Sequence, residues 1–227
     1  MPEQRVSFVV PTGELEGVLH LPETTVIGGC AVLHGYGGNP QQPHVVATCV
    51  ALADAGIAAL RFAYRDSQPP RMTLDSALAD TAGALRLLRA HPDVPERYGV
   101  VGFSFGGTVA AITAGRDHRI RAAVLAAAPA VAQPGFHAWS NEGKWKPPAE
   151  ASHTRARVLL VWGSRDDQVP FADAERYFAV LSQARVTSRI VTIEGGDHDF
   201  QPATARERMT AAVAAWVRES FVPRERE

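Results

Sequence analysis

The amino-acid sequence predicts an α/β protein whose core is a mostly parallel, doubly wound sheet of about eight strands. Short apolar runs alternate with helical segments over most of the 227 residues, which is typical of buried parallel strands joined by crossover helices. Near the start, a strand at 5–10 places Val6, Phe8 and Val10 on one face, and a second strand follows at 15–21 after a Pro-Thr-Gly-Glu turn. These two strands predict an antiparallel hairpin at the N-terminal edge of the sheet.

The remaining strands follow from apolar runs, and the helices follow from apolar residues spaced three or four apart. The further strands are predicted at 26–33, 57–63, 98–101, 120–127, 158–162 and 186–193. The helices are predicted at 43–55, 73–90, 108–114, 171–183 and 204–220. Residues 129–156 break this alternation with prolines, glycines and no clear period, so we expect a short lid segment there, inserted in a single domain that spans residues 1–227.

The bulk composition argues against several classes of function. With 23 basic and 24 acidic residues the net charge is -1, which gives no electrostatic signature of a nucleic-acid partner or an anionic membrane partner. No apolar stretch reaches the roughly 20 residues that cross a bilayer, and the N-terminus lacks a secretory pattern, so we expect a cytoplasmic protein without membrane insertion. Cys30 and Cys49 are interpreted as small buried hydrophobic residues, with a disulfide as the alternative. The sequence leaves monomer and homodimer open.

Residues 102–106, Gly-Phe-Ser-Phe-Gly, form a G-x-S-x-G pattern between a predicted strand and a predicted helix. In that context the pattern indicates a turn so tight that the serine adopts a strained backbone conformation. The flanking glycines avoid clashes with the neighbouring strand and helix. The serine hydroxyl then projects from the C-terminal edge of the sheet, which makes Ser104 the candidate nucleophile.

A serine hydroxyl needs a base that accepts its proton, and the base needs a third group that orients it. His198 follows the last predicted strand in a glycine-containing loop and is the only histidine beyond residue 153. An exposed loop histidine is the alternative interpretation. Asp166 and Asp167 follow the preceding strand. We prefer Asp166 as the orienting acid and expect Asp167 to be a turn or helix-cap residue.

The negative charge that develops on a carbonyl oxygen under attack needs backbone N–H donors. Phe105 supplies one donor at the start of the helix that follows the serine. The second donor is assigned to Tyr36, in the glycine-rich loop 34–38 after the third strand, for which a simple flexible turn is the alternative. His34 is interpreted as a structural residue of that loop. The other histidines lack supporting context, and most are expected at the surface: His20, His44, His91, His118, His137 and His153.

Aromatic residues in the lid segment are candidates for the substrate pocket. Phe136, Trp139 and Trp145 could form the wall of an acyl or aromatic pocket, and the alternative is that they only pack the segment against the domain. We find no zinc-ligand spacing, phosphate-binding loop or dinucleotide fingerprint, so no metal and no cofactor are expected.

Taken together, these residues resemble the α/β-hydrolase superfamily. The matching motifs are His34-Gly35-Tyr36-Gly37-Gly38, Gly102-Phe103-Ser104-Phe105-Gly106-Gly107, Gly163-x-x-Asp166-x-x-Val169-Pro170 and Gly196-Asp197-His198-x-Phe200. The last two are most similar to the dienelactone-hydrolase-like and prolyl-oligopeptidase-like branches, which include many small esterases. The resemblance covers about residues 5–220 and implies an α/β-hydrolase fold, a Ser104–Asp166–His198 triad and an oxyanion hole from Tyr36 and Phe105. True dienelactone hydrolases carry a cysteine nucleophile, whereas position 104 is a serine.

The sequence therefore favours a serine esterase that cleaves carboxylic ester or thioester bonds of a small-molecule substrate through an acyl-enzyme on Ser104. A peptidase or an acyltransferase with the same triad is one alternative. A non-catalytic binding module on the same fold is another, although such proteins usually lose a triad member and all three positions are filled here.

Overall fold

The computed structural model describes residues 3–67, 71–131 and 145–222, and its strands form one eight-stranded sheet. The strands are β1 (Glu3–Val10), β2 (Gly13–His20), β3 (Gly28–Leu33), β4 (Ile57–Phe62), β5 (Tyr98–Phe103), β6 (Ile120–Ala126), β7 (Arg157–Gly163) and β8 (Ser188–Ile193). The helices are α1 (Pro43–Asp54), α2 (Leu74–Ala90), α3 (Phe105–Arg116), α4 (Pro147–Ala151), α5 (Phe171–Gln183) and α6 (Ala203–Phe221).

The strand order is β1-β2-β4-β3-β5-β6-β7-β8. β1 and β2 form an antiparallel hairpin whose register runs from Glu3 opposite His20 to Val10 opposite Gly13. β2 also pairs antiparallel with β4, and β4, β3 and β5 to β8 are all parallel. The predicted fold class, a mostly parallel sheet with an antiparallel edge pair, is therefore confirmed.

Two apolar layers cover the two faces of the sheet, because successive side chains of a strand point to opposite faces. In β3, Cys30 and Val32 belong to the layer formed with α1 and α6. Ala31 and Leu33 belong to the layer formed with α2, α3 and α5. Every residue of β3, β4 and β5 is buried, which explains why these strands are continuous apolar runs rather than alternating ones. Cys30 and Cys49 are buried free thiols, as predicted.

Some boundaries differ from those predicted. α3 was predicted at 108–114 and spans Phe105–Arg116. It begins earlier because the Ser104 carbonyl already accepts the N–H groups of Gly107 and Thr108. The short α4 within 129–156 was not predicted, since five residues that include two prolines show no helical period. None of the helices in the described part of the chain is long and apolar enough to cross a membrane.

The topology decides where a site can form. In parallel strands the C-terminal ends lie at one edge of the sheet, and the loops that leave this edge converge. Ser104 follows β5, Asp166 follows β7 and His198 follows β8, while the loop that begins at His34 follows β3. All four candidates therefore lie at the same edge.

Candidate active site

Ser104 occupies a sharp turn between β5 and α3. Its backbone angles are φ 52° and ψ -121°, a region that non-glycine residues adopt only at a cost on the order of 1–3 kcal/mol. A Cβ atom at Gly102 would lie 2.0 Å from the Gly106 carbonyl oxygen, and one at Gly106 would lie 2.4 Å from the Leu33 carbonyl oxygen. The sequence places glycine at both positions because the backbone passes too closely for any side chain.

Asp166 and His198 form a hydrogen-bonded pair. The Nδ1 atom of His198 lies 3.0 Å from Oδ1 and 3.0 Å from Oδ2 of Asp166. The His198 side chain is only 7% exposed and the Asp166 side chain only 1%, so water competes little for this hydrogen bond. Since an ionised carboxylate only accepts hydrogen bonds, Nδ1 carries the proton and Nε2 is the basic nitrogen of the neutral ring.

Asp166 remains ionised near neutral pH. Burial alone would raise the pKa of its carboxyl, but the hydrogen bond from His198 and those from the backbone of Val169 and Gln168 outweigh this effect and lower it. Both backbone N–H groups donate to Oδ1 over 3.0 Å. The tight turn after β7 therefore supplies the donors that keep the carboxylate charged.

The loops that carry Asp166 and His198 are in direct contact. A Cβ atom at Gly163 would lie 2.3 Å from the carbonyl oxygen of Gly196. The N–H of Arg165 donates to the same oxygen over 2.8 Å, and the N–H of Gly195 donates to the Ser164 hydroxyl over 2.9 Å. The distance between acid and base is thus fixed by the backbone of the two loops.

The loop after β3 lies beside Ser104. A Cβ atom at Gly35 would lie 3.3 Å from the Ser104 Cβ and 3.8 Å from its Oγ. The Gly35 carbonyl accepts the N–H of Gly38 over 3.1 Å, which closes a tight turn. The ring of Tyr36, the next residue, packs edge-on against Phe105 with 5.9 Å between the ring centroids.

His34 is fully buried under this loop, and its hydrogen bonds identify its tautomer. Its Nε2 atom accepts the N–H of Tyr64 over 3.4 Å, so Nδ1 carries the proton and donates to the Gly35 carbonyl oxygen over 2.7 Å. Burial lowers the pKa of His34 to about 4, and the hydrogen bond to Gly35 offsets this only in part. His34 is therefore neutral under ordinary conditions.

The three pocket candidates are located differently. Phe136 and Trp139 lie outside the described residues. Trp145 is buried, and the guanidinium carbon of Arg116 lies 4.4 Å from the centroid of its ring. Arg116 is the last residue of α3. The twelve-residue α3 is about 18 Å long, and Ser104 precedes its other end. This placement favours the packing role of Trp145 over a role in a pocket wall near Ser104.

Two histidines expected at the surface are buried, which corrects the sequence prediction. His20 ends β2, which lies between β1 and β4 rather than at the sheet edge, and its Nε2 accepts the Nε–H of the buried Arg61 over 2.8 Å. His44 lies in the first turn of α1, packed against Phe103. Neither burial has a local sequence signal, because each depends on which element packs next to it.

Within the described ranges no group of three or more histidine, cysteine, aspartate or glutamate side chains is arranged as metal ligands would be. The residues at this edge of the sheet supply a serine hydroxyl and a carboxylate–imidazole pair.

Comparisons with solved structures show the same fold over nearly the whole chain. The esterase domain of a Rhodothermus marinus protein superposes with a TM-score of 0.80 at 20% identity, covering 98% of this chain and 100% of that one. Est1E from Butyrivibrio proteoclasticus gives 0.80 at 19% identity, covering 96% and 98%. Dienelactone hydrolase from Anabaena variabilis gives 0.76 at 22% identity, covering 95% and 96%.

Sequence comparisons identify the family. A carboxymethylenebutenolidase-like protein of Synechocystis sp. is 25% identical over 141 residues, which are 61% of this chain and 55% of that protein. The chain thus spans about half the length of this curated relative. The profile of the dienelactone hydrolase family matches residues 61–221. This range includes the serine turn and the loops of Asp166 and His198. The chain belongs to the dienelactone hydrolase family, within the α/β-hydrolase superfamily.

Proposed function

We propose that this protein is a serine hydrolase that cleaves carboxylic ester or thioester bonds of small molecules through an acyl-enzyme on Ser104. The observation that supports this most is the buried Asp166–His198 pair at the sheet edge where the strained Ser104 turn ends β5. A strained turn and a buried carboxylate are each costly, and their occurrence at one edge is explained by a shared catalytic role.

The proposed reaction uses the Asp166–His198 pair as its proton acceptor and donor. His198 Nε2 takes the proton of the Ser104 hydroxyl as Oγ forms a bond to the substrate carbonyl carbon, and Asp166 stabilises the imidazolium. The tetrahedral intermediate collapses, the bond to the alcohol oxygen breaks, and His198 returns its proton to the leaving alcohol. A water molecule then loses a proton to His198 and attacks the acyl-enzyme, which releases the acid and restores Ser104.

The oxyanion is proposed to bind the backbone N–H groups of Tyr36 and Phe105. In a trans peptide the C=O and the following N–H point in opposite directions. The Gly35 carbonyl points toward the His34 ring and the Gly38 N–H. The Tyr36 N–H of the same peptide plane is therefore turned away from His34, and the Gly35 backbone lies against Ser104. The Phe105 N–H begins α3, where the helix dipole favours negative charge.

Two findings guide the choice of substrates. The Butyrivibrio proteoclasticus Est1E structure has been solved with ferulic acid bound, so methyl esters of hydroxycinnamic acids belong in the panel. The serine at position 104 differs from the cysteine of true dienelactone hydrolases, so simple alkyl and aryl esters are expected to be better substrates than dienelactone. Matched thioesters and anilides distinguish an esterase from a thioesterase or peptidase.

The decisive test compares the wild type, Ser104→Ala and the matched control Ser182→Ala, which changes an exposed serine of α5. We expect p-nitrophenyl acetate and butyrate turnover to fall at least about 1000-fold in Ser104→Ala and to stay within about twofold in Ser182→Ala. A fluorophosphonate probe should label Ser104 in the wild type. Equal turnover in the wild type and Ser104→Ala would refute the assignment, and a folded wild type that is neither labelled nor active would favour a binding module.

A further inference from the structure

Three aromatic rings form a cluster behind the candidate active site, and we refer to His44, Phe103 and Phe200 as the ring cluster. Phe103 immediately precedes Ser104, and Phe200 follows His198 by two residues. The His44 and Phe103 rings pack edge-on with 4.6 Å between centroids, and Phe103 and Phe200 do so with 6.5 Å. The cluster therefore joins the strand of the nucleophile, the loop of the base and the first turn of α1.

The imidazole of His44 also lies against the loop that carries His198, residues 195–201, which we call the base loop. Its ring lies next to Asp199, the residue after His198, whose backbone and charge both act on the pKa of the imidazole. The same two residues line a cavity of about 270 Å³ together with Gln42, Pro43, Gln201 and Arg206. His44 is only 2% exposed, so this interaction lies in a largely water-excluded environment.

The imidazole of His44 is neutral. Burial is the main cause that lowers its pKa to about 4, Asp199 opposes this, and the guanidinium of Arg206 adds to the lowering. A neutral imidazole has one N–H donor, so it can pack as an aromatic ring and donate a hydrogen bond to a carbonyl at the same time. Phenylalanine could provide only the first of these.

The base loop requires contacts of this kind because its own backbone is strained. Phe200 is fully buried and has a φ of 51°, in the left-handed region that costs a non-glycine residue on the order of 1–3 kcal/mol. A second contact comes from α6, where Arg206 donates to the Gln201 carbonyl over 2.8 Å. The conformation that places His198 is thus maintained by neighbours rather than by local preference.

We propose that His44 is a positioning residue, which holds the loop of His198 at a fixed distance from the strand of Ser104 through its ring contact with Phe103 and a hydrogen bond from its ring N–H to the backbone of Asp199. The catalytic consequence rests on the proposed function, since it concerns proton transfer from Ser104 to His198. A displacement of about 1 Å between reacting groups can cost about 100-fold in rate. His44 therefore acts on the reaction without touching the substrate.

Four variants test the proposal. His44→Phe keeps a ring and removes the donor, while His44→Asn and His44→Gln place an amide N–H near the position of Nδ1 and Nε2, respectively. Val45→Ala is the matched control, since Val45 is the next residue of α1, is fully buried in the apolar layer, and has no polar group to lose. Each variant is characterised by kcat, KM, thermal unfolding and the rate of fluorophosphonate labelling.

We expect His44→Phe to lower kcat and the labelling rate about 10- to 100-fold, with KM within about twofold. One of the two amide variants should recover most of the loss and the other should not, which separates the hydrogen bond from ring packing even if His44→Phe folds poorly. Val45→Ala should lower the melting temperature with kcat within about twofold. Unchanged kcat in all three His44 variants, or equal losses without rescue by either amide, would overturn the proposal.

Hydrogen–deuterium exchange of residues 195–201 provides a readout that does not depend on ester hydrolysis. We expect exchange in this loop to rise at least about tenfold in His44→Phe and to stay at the wild-type rate in Val45→Ala. If the wild type hydrolysed no ester and this contrast were still found, the proposed function would fail and the positioning role would stand. An unchanged exchange rate in His44→Phe would overturn the positioning role whatever the activity.

Discussion

His34 and His198 are both buried at the same edge of the sheet, and they differ in what their Nδ1 atoms contact. His34 donates to the neutral Gly35 carbonyl over 2.7 Å, whereas His198 lies 3.0 Å from both oxygens of the Asp166 carboxylate. A carbonyl dipole cannot balance the charge of an imidazolium in a water-excluded site, but an ionised carboxylate can. The contrast indicates that the Nδ1 partner decides whether a buried histidine is structural or suited to proton transfer.

The Nε2 side of His34 leads to the same conclusion. Its Nε2 accepts the Tyr64 N–H, so both ring nitrogens are engaged with the protein backbone. Burial lowers the pKa of His34 to about 4, which keeps the ring neutral. Such a residue stabilises a loop conformation and does not transfer protons. Four predictions test this comparison, from the largest expected effect to the smallest.

Asp166→Asn should give the largest effect, because it makes the environment of His198 similar to that of His34. The amide keeps the shape of the side chain, removes its negative charge and can favour the wrong ring tautomer. We expect kcat for p-nitrophenyl butyrate to fall about 1000- to 10,000-fold. Asp167→Asn, at the adjacent exposed aspartate, is the control and should stay within about threefold. Equal activity of the two variants would contradict the orienting role of Asp166.

The dependence of stability on pH should reveal His34 directly. Its pKa is about 4 in the folded protein against 6.5 when unperturbed, so between these values the unfolded chain binds a proton that the folded protein does not. The free energy of unfolding therefore falls as the pH drops from 6.5 to 4, by about 3 kcal/mol for this residue, and no further below 4. Above pH 6.5 the contribution is fully present.

Urea unfolding of the wild type and His34→Asn at pH 7 and pH 4 measures this contribution. The stability difference between the two proteins should be about 3 kcal/mol smaller at pH 4 than at pH 7, because asparagine does not titrate. His44 titrates in both proteins, so its contribution cancels. A stability difference that does not change with pH would show that His34 is not held neutral by burial.

His34→Ala should lower activity less than Asp166→Asn, because it affects the reaction only through the loop. Without the His34 ring, the Gly35 carbonyl loses one of its hydrogen bonds, so the orientation of the Gly35–Tyr36 peptide and of its N–H is less fixed. We expect kcat to fall about 10- to 30-fold with little change in KM, since removing an oxyanion donor outright costs on the order of 100-fold or more. His34→Asn, which retains a donor at the Nδ1 position, should recover part of the loss. His118→Ala, at an exposed histidine, is the control.

Local sequence patterns predicted most of the fold. The apolar runs predicted as strands at 26–33 and 57–63 correspond to β3 and β4, which are buried on both faces, and the glycines around Ser104 identify a turn whose close contacts exclude side chains. Each of these features is encoded within a few neighbouring residues. The Asp166–His198 contact also followed, because both residues come directly after strands whose C-terminal ends share an edge.

The features that escaped prediction depend on contacts between distant segments. His20 is buried because β2 pairs with β4, and His44 is buried because α1 packs beside Phe103 and the loop of His198. A single sequence does not show which strands are neighbours, so a histidine without a motif is assigned to the surface by composition alone. The Arg61–His20 hydrogen bond joins residues 41 positions apart and escaped for the same reason.

Ser164→Ala should give the smallest effect and tests whether the backbone alone fixes the loops of Asp166 and His198. The Ser164 hydroxyl accepts the Gly195 N–H over 2.9 Å, but its side chain is exposed and water can replace it. The backbone contact between Gly163 and Gly196 and the hydrogen bond from Arg165 remain in the variant. We therefore expect a stability loss under about 1 kcal/mol and a kcat within about threefold. A loss of kcat as large as that of His34→Ala would mean that side chains, rather than backbone contacts, set the distance between acid and base.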